Sequence, residues 1–198
     1  MHPNRRERLA APAFQGKRWW HASTGLALVA AMVLAEPGQA VPPGSAVASQ
    51  SLALCGRADN VTGDERTQAL ARGMALAEEA VAADPKDALA HFATVCNLGK
   101  QMEDSGLGLG QLLSLRRLRR EMDTTLELAP NDSDALVAKG AFLLRLPRWF
   151  GGDPAQAEQL LRRALAAEPG NDTARCYLGK ALQKRGAEEE ARALLPHC

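Results

Sequence analysis

Six cysteine and histidine side chains lie beyond residue 40 and have the chemistry to hold a metal or to act as nucleophile and base: Cys55, Cys96, Cys176, Cys198, His91 and His197. Metal ligation needs such groups at short fixed spacing, and no CxxC, CxxCH or HExxH occurs. His91 and Cys96 stand five residues apart, whereas side chains sharing a helix face stand three or four apart. Nothing in the spacing gives a cysteine nucleophile a base. Glu188, Glu189 and Glu190 are consecutive at a helix start, where they complement the helix dipole rather than form an acid–base pair. Gly106, Gly108 and Gly110 suggest a phosphate loop, but no strand precedes them. The expectation is a chain that is not an enzyme, with no catalytic, cofactor or metal site.

Two other chemistries remain, disulfide bonding and recognition by charge and apolar surface. Arg116, Arg117, Arg119 and Arg120 form the densest basic cluster. They flank an apolar stripe of Leu112, Leu115, Leu118, Met122 and Leu126, with Glu121, Asp123 and Glu127 interspersed, which reads as a solvated helix face. The functional alternative is a docking patch for an acidic protein or phospholipid headgroups. Trp149 and Phe150 sit in a Pro/Gly-rich loop, either folded back over a hairpin or anchoring a partner. The 198 residues carry Lys+Arg 24 against Asp+Glu 23, a balance that offers no field to hold nucleic acid.

The elements that position these groups are helices. Aromatics are 4% of a chain rich in Ala, Leu, Arg and Glu, which excludes a β-sandwich and points to an all-α fold. Residues 1–40 stand apart, with five basic against two acidic side chains. The basic stretch is followed by the apolar run Thr24–Ala35, then Pro37, Gly38 and Ala40. That pattern predicts a cleaved signal peptide, cut near Ala40, and a periplasmic destination. An uncleaved inner-membrane anchor is the alternative, although the run falls short of the about 20 apolar residues that a span needs. After cleavage no stable membrane span is expected. An exported chain meets an oxidising compartment, where an even number of cysteines favours disulfides.

Residues 41–63 read as a flexible lead-in. Beyond them one phrase recurs: a helix end stopped by Pro85, Pro130 or Pro169, then Asp or Asn, then a new helix. The prolines are 45 and 39 residues apart. This is internal repetition with units of about 64–85, 86–132, 133–171 and 172–198. Gly140, Ala157, Gly179 and Ala191 are small enough to let antiparallel helices approach closely. The units resemble the tetratricopeptide repeat (TPR), a helix–turn–helix of about 34 residues. Leu178, Gly179, Leu182, Gly186, Ala191 and Leu195 carry the likeness in the last unit. Leu136, Gly140, Leu143, Ala157, Leu161, Ala164 and Pro169 carry it in the unit before. The 146–153 insertion is similar to a loop in the accessory TPR proteins of tripartite (TRAP) transporters.

The resemblance implies a right-handed stack of antiparallel hairpins, about three and a half repeats, whose concave face binds a protein or peptide. Mapped onto this chain, the partner-binding positions include Asn97, Val137, Leu144, Arg145, Lys180, Gln183 and Lys184. Arg145, Lys180 and Lys184 would grip a carboxylate; the alternative role for them is solubility. The repeat geometry also sets Cys176 against Cys198 and leaves Cys55 to pair with Cys96, with four free buried thiols as the rival reading. The function these features imply is a scaffold or assembly factor. The alternative is a homo-oligomeric accessory of a solute-transport system with a ligand-facing cavity.

Overall fold

A computed structural model describes residues 43–105 and 111–194, all within one unit spanning 39–198. The expected signal peptide, the glycine run 106–110 and Cys198 lie outside the described residues. The described chain is all-helical: α1 (Pro43–Arg57), α2 (Gly63–Ala83), α3 (Ala88–Ser105), α4 (Gln111–Leu128), α5 (Ser133–Arg145), α6 (Pro154–Ala167), α7 (Asp172–Arg185) and α8 (Glu188–Leu194), with a 3-10 turn at Arg148–Phe150. Neighbouring helices pack as successive hairpins, α1–α2, α3–α4, α5–α6 and α7–α8, in a repeat-like arrangement.

The recurring proline phrase works as its chemistry demands. The Asp87 carboxylate accepts from the Leu89 N–H at 2.9 Å, and that of Asp132 from Ala135 N–H at 2.8 Å. The Asn171 side-chain oxygen accepts from the Ala174 N–H at 2.9 Å. Each thus satisfies a donor that the helix itself leaves unpaired. The α7–α8 turn closes on Gly186, whose φ of 82° is a left-handed conformation that favours glycine.

One boundary differs from expectation. Residues 43–57, anticipated as part of a flexible lead-in, form α1, so four hairpins are present among the described residues rather than three and a half. Pro43 is tolerated because the first turn of a helix has no N–H partner to lose. The buried face of α1 is built from Ala48, Ser51 and Cys55, small residues that carry little hydrophobic signal.

The core comes in two parts. Ala48, Ala77, Ala80, Ala90 and Ala93 form an alanine seam across α1, α2 and α3. A larger cluster runs from Val95 and Leu98 through Leu118, Met122, Leu136 and Leu161 to Leu178 and Leu182. The close approaches expected of small residues are present: a Cβ added to Gly140 would lie 2.8 Å from Leu161 Cγ. Ala157 and Ala191 are buried alongside.

Candidate functional site

The groove positions divide by burial. Asn97 on α3 is fully buried, and its side-chain N–H groups donate to Ser51 Oγ and to the Ala93 carbonyl, both at 2.9 Å. Val137 and Leu144 on α5 are also buried, in the cluster that includes Leu178 and Ala181 of α7. These three were expected to face a partner; they instead hold helix against helix. The reason is that α1 covers α3 and α7 covers α5, so side chains pointing along the stack meet the next helix before they meet solvent. Sequence offered no warning for Asn97, since the helix that covers it was itself read as lead-in.

Arg145, Lys180, Gln183 and Lys184 remain exposed, at the ends of α5 and α7. Each cation has an internal engagement. Arg145 pairs with Glu103 of α3, and Lys184 Nζ donates to the Leu144 carbonyl, which draws the ends of α5 and α7 together. Lys180 Nζ lies 4.8 Å from the centroid of the Tyr177 ring, a cation–π contact that keeps the ammonium on the surface. The trio is therefore brought to one end of the stack, with Lys180 making no ion pair among the described residues.

Beneath this end lies a charge network that sequence reasoning missed. Glu158 of α6 is buried and pairs with Arg162 at 2.9 Å and with Arg185 of α7. Arg162 continues to Glu190 of α8 at 2.9 Å. Burial pushes the Glu158 carboxyl up, but the two guanidinium groups outweigh it and hold the pKa below the usual carboxylate range. The i,i+4 spacing of Glu158 and Arg162 was the available signal. Asp134 is shifted the other way: loss of solvent around its carboxyl raises the pKa, the like charges of Asp132 and Glu168 add to this, and Asn171 partly offsets them.

The cysteines follow the expected pattern as far as they are described. Cys55 and Cys96 are bridged, fastening α1 to α3, and Cys176 is also disulfide-bonded. No free cysteine stands among the described residues. His91 is satisfied structurally, with Nδ1 2.7 Å from Glu121 Oε2 and Nε2 3.0 Å from the Pro85 carbonyl. Among the described residues no cluster of metal-binding side chains forms, and no helix is long and apolar enough to cross a membrane.

Residues 151–196, which span α6, α7 and α8, match the tetratricopeptide repeat family. Over this stretch the chain is similar to a tetratricopeptide repeat. None of the curated proteins matches it. TPR units are interaction modules, and the family assignment points to a protein partner. The matched stretch carries Lys180, Gln183 and Lys184, together with the Glu158 network that ties α6 to α7 through Arg185.

Proposed function

We propose that this TPR protein is a non-catalytic, exported scaffold or assembly factor that binds a protein or peptide through the groove end formed by α5 and α7. The observation that carries the reading is the exposed set Arg145, Lys180, Gln183 and Lys184, gathered at one end by the Lys184–Leu144 hydrogen bond. Three cations beside an amide suit an acidic segment or a chain-terminal carboxylate, because long basic side chains satisfy charged acceptors in shallow grooves. Export to the periplasm is supported by the basic-then-apolar pattern of residues 1–40 and by the bridged cysteines. Two cavities among the described residues, of about 250 and 330 Å³, are near the lower end of small-molecule sites, in keeping with a macromolecular partner rather than a solute.

The test is cross-linking in cells with the native chain and with a Lys180→Glu, Gln183→Ala variant. Both residues are exposed and hold no other helix, so the fold should survive, as a melting curve would verify. A discrete cross-linked partner that disappears in the variant supports the groove. Self-links alone, unchanged by the substitutions, would refute it and promote the oligomeric transport-accessory reading.

A further inference from the structure

Away from the groove, one surface combines uncompensated positive charge with exposed apolar side chains. On α4, Leu113, Arg116 and Arg120 recur at spacings of three and four and, with Leu112 four residues before Arg116, form an exposed stripe with Arg119 at its edge. Leu113 is 70% exposed. The carboxylates nearest in sequence are engaged elsewhere: Glu121 with His91 and Arg117, Asp123 with Lys139. No ion pair to Arg116, Arg120 or Arg148 forms among the described residues.

The register of α4 on α5 carries this stripe to the 146–153 loop. Asp123 meets Lys139 at 2.7 Å, Arg119 lies 5.7 Å over the Phe142 ring, and Arg119 donates to the Phe150 carbonyl at 3.2 Å. Moving toward the start of α4 therefore moves toward the end of α5; Arg119 ties the stripe to the loop, and Leu112 and Leu113 continue it toward the start of α4. There Trp149 is 79% exposed and Phe150 45%, their ring centroids 4.1 Å apart.

The loop is held in place. The Phe150 and Gly152 N–H groups both donate to the Pro147 carbonyl, at 2.9 and 3.0 Å. Gly151 adopts a φ of 86°, and a Cβ on Gly152 would fall 1.9 Å from the Leu146 carbonyl oxygen. The aromatic pair is thus a fixed projection rather than the floor of a groove. A projecting indole has no walls to enclose a peptide. It suits a medium that closes around it, such as the headgroup layer of a bilayer, where amphipathic aromatics and arginines gather.

We propose that the α4 stripe and the Trp149–Phe150 tip dock the protein peripherally on an anionic phospholipid surface. Trp149 enters the headgroup region while Arg116, Arg120 and Arg148 meet phosphates. This surface uses no groove residue and stands independently of the partner-binding reading.

The test uses the exported chain without residues 1–40, in which Trp149 is the sole tryptophan of the three in the sequence. On vesicles of phosphatidylglycerol and phosphatidylcholine, Trp149 emission moves to shorter wavelength and is quenched by brominated acyl chains. On pure phosphatidylcholine neither occurs. Adding Arg116→Gln, Arg120→Gln and Arg148→Gln lowers vesicle affinity about a hundredfold, since each basic side chain near such a surface contributes roughly a factor of five. An absent shift, an equal shift on neutral vesicles, or a shift unchanged in the triple Gln variant overturns the proposal; the last would mean that another segment brings the chain to the membrane. A shift produced by poly-glutamate but not by vesicles overturns it in favour of an acidic protein.

Discussion

Substituting Gly73 probes a close helix contact of the N-terminal half. Gly73 of α2 is buried, and a Cβ there would lie 2.1 Å from Asn97 Oδ1 and 2.8 Å from Asn97 Cγ. Asn97 has little freedom to retreat, because its N–H groups are committed to Ser51 and the Ala93 carbonyl. Gly73→Ala therefore overpacks a rigid site, costing about 1–3 kcal/mol. Displacing the amide also forfeits hydrogen bonds worth about 1 kcal/mol each. Against this, alanine gains about 1 kcal/mol over glycine in a helix interior. The net expectation is a loss of roughly 2–4 kcal/mol. In an Asn97→Ala background the obstacle is gone and only the helix preference remains, so the same substitution becomes neutral or stabilises by up to about 1 kcal/mol. The assay is urea unfolding of wild type, both single variants and the double variant, followed by far-ultraviolet circular dichroism without reductant. If Gly73→Ala costs the same in both backgrounds to within about 0.5 kcal/mol, the two sites are independent and the contact is not what limits this position.

Replacing Cys55 and Cys96 with serine should lower stability by about 4 kcal/mol; this is the loop-entropy value for the bridge's separation of 41 residues, and denaturation of variant and wild type, both without reductant so that the Cys176 bond stays intact, checks it. Glu158 titrates below the usual carboxylate range in the folded chain, so its contribution is complete above the unfolded value and is lost as pH falls through the folded one. Stability measured from pH 7 down to pH 3 should accordingly fall less steeply in Glu158→Gln than in wild type, and parallel curves would contradict the network. Gly152→Ala should displace the 146–153 loop, because its Cβ meets backbone that cannot swing aside; faster proteolysis between Leu146 and Asp153 reports it, and unchanged cleavage would show that the loop accommodates the methyl.

The hairpins from α2 onward were legible because three prolines and their Asp or Asn caps are local chemistry, acting within a few residues of where they stand. The small residues Gly140, Ala157 and Ala191 were legible as close-contact positions for the same reason. Helix α1 was not, because its opening Pro-Gly-Ser reads as loop and its buried face consists of Ala48, Ser51 and Cys55. A helix that packs through small side chains has almost no hydrophobic periodicity to detect. That single omission propagated into the candidate site: with α1 unseen, Asn97 appeared to face a groove rather than another helix. Arg145 and Lys184 were expected as groove positions that grip a carboxylate; both are exposed, but their bonds to Glu103 and the Leu144 carbonyl depend on how separate units stack, over separations of 42 and 40 residues that local pattern does not encode.

The alanine seam of α1, α2 and α3 bears on which substitutions this half of the molecule can absorb. A leucine-lined interface has atoms to spare, and a smaller residue leaves a void into which neighbours can partly relax. A seam of single methyl groups cannot be trimmed further except to glycine, and every other exchange at those positions adds volume between helices that already touch. Drift at Ala48, Ala77, Ala80, Ala90 and Ala93 is thus confined to glycine, alanine and serine, and variation in the first hairpin must accumulate on its solvent side.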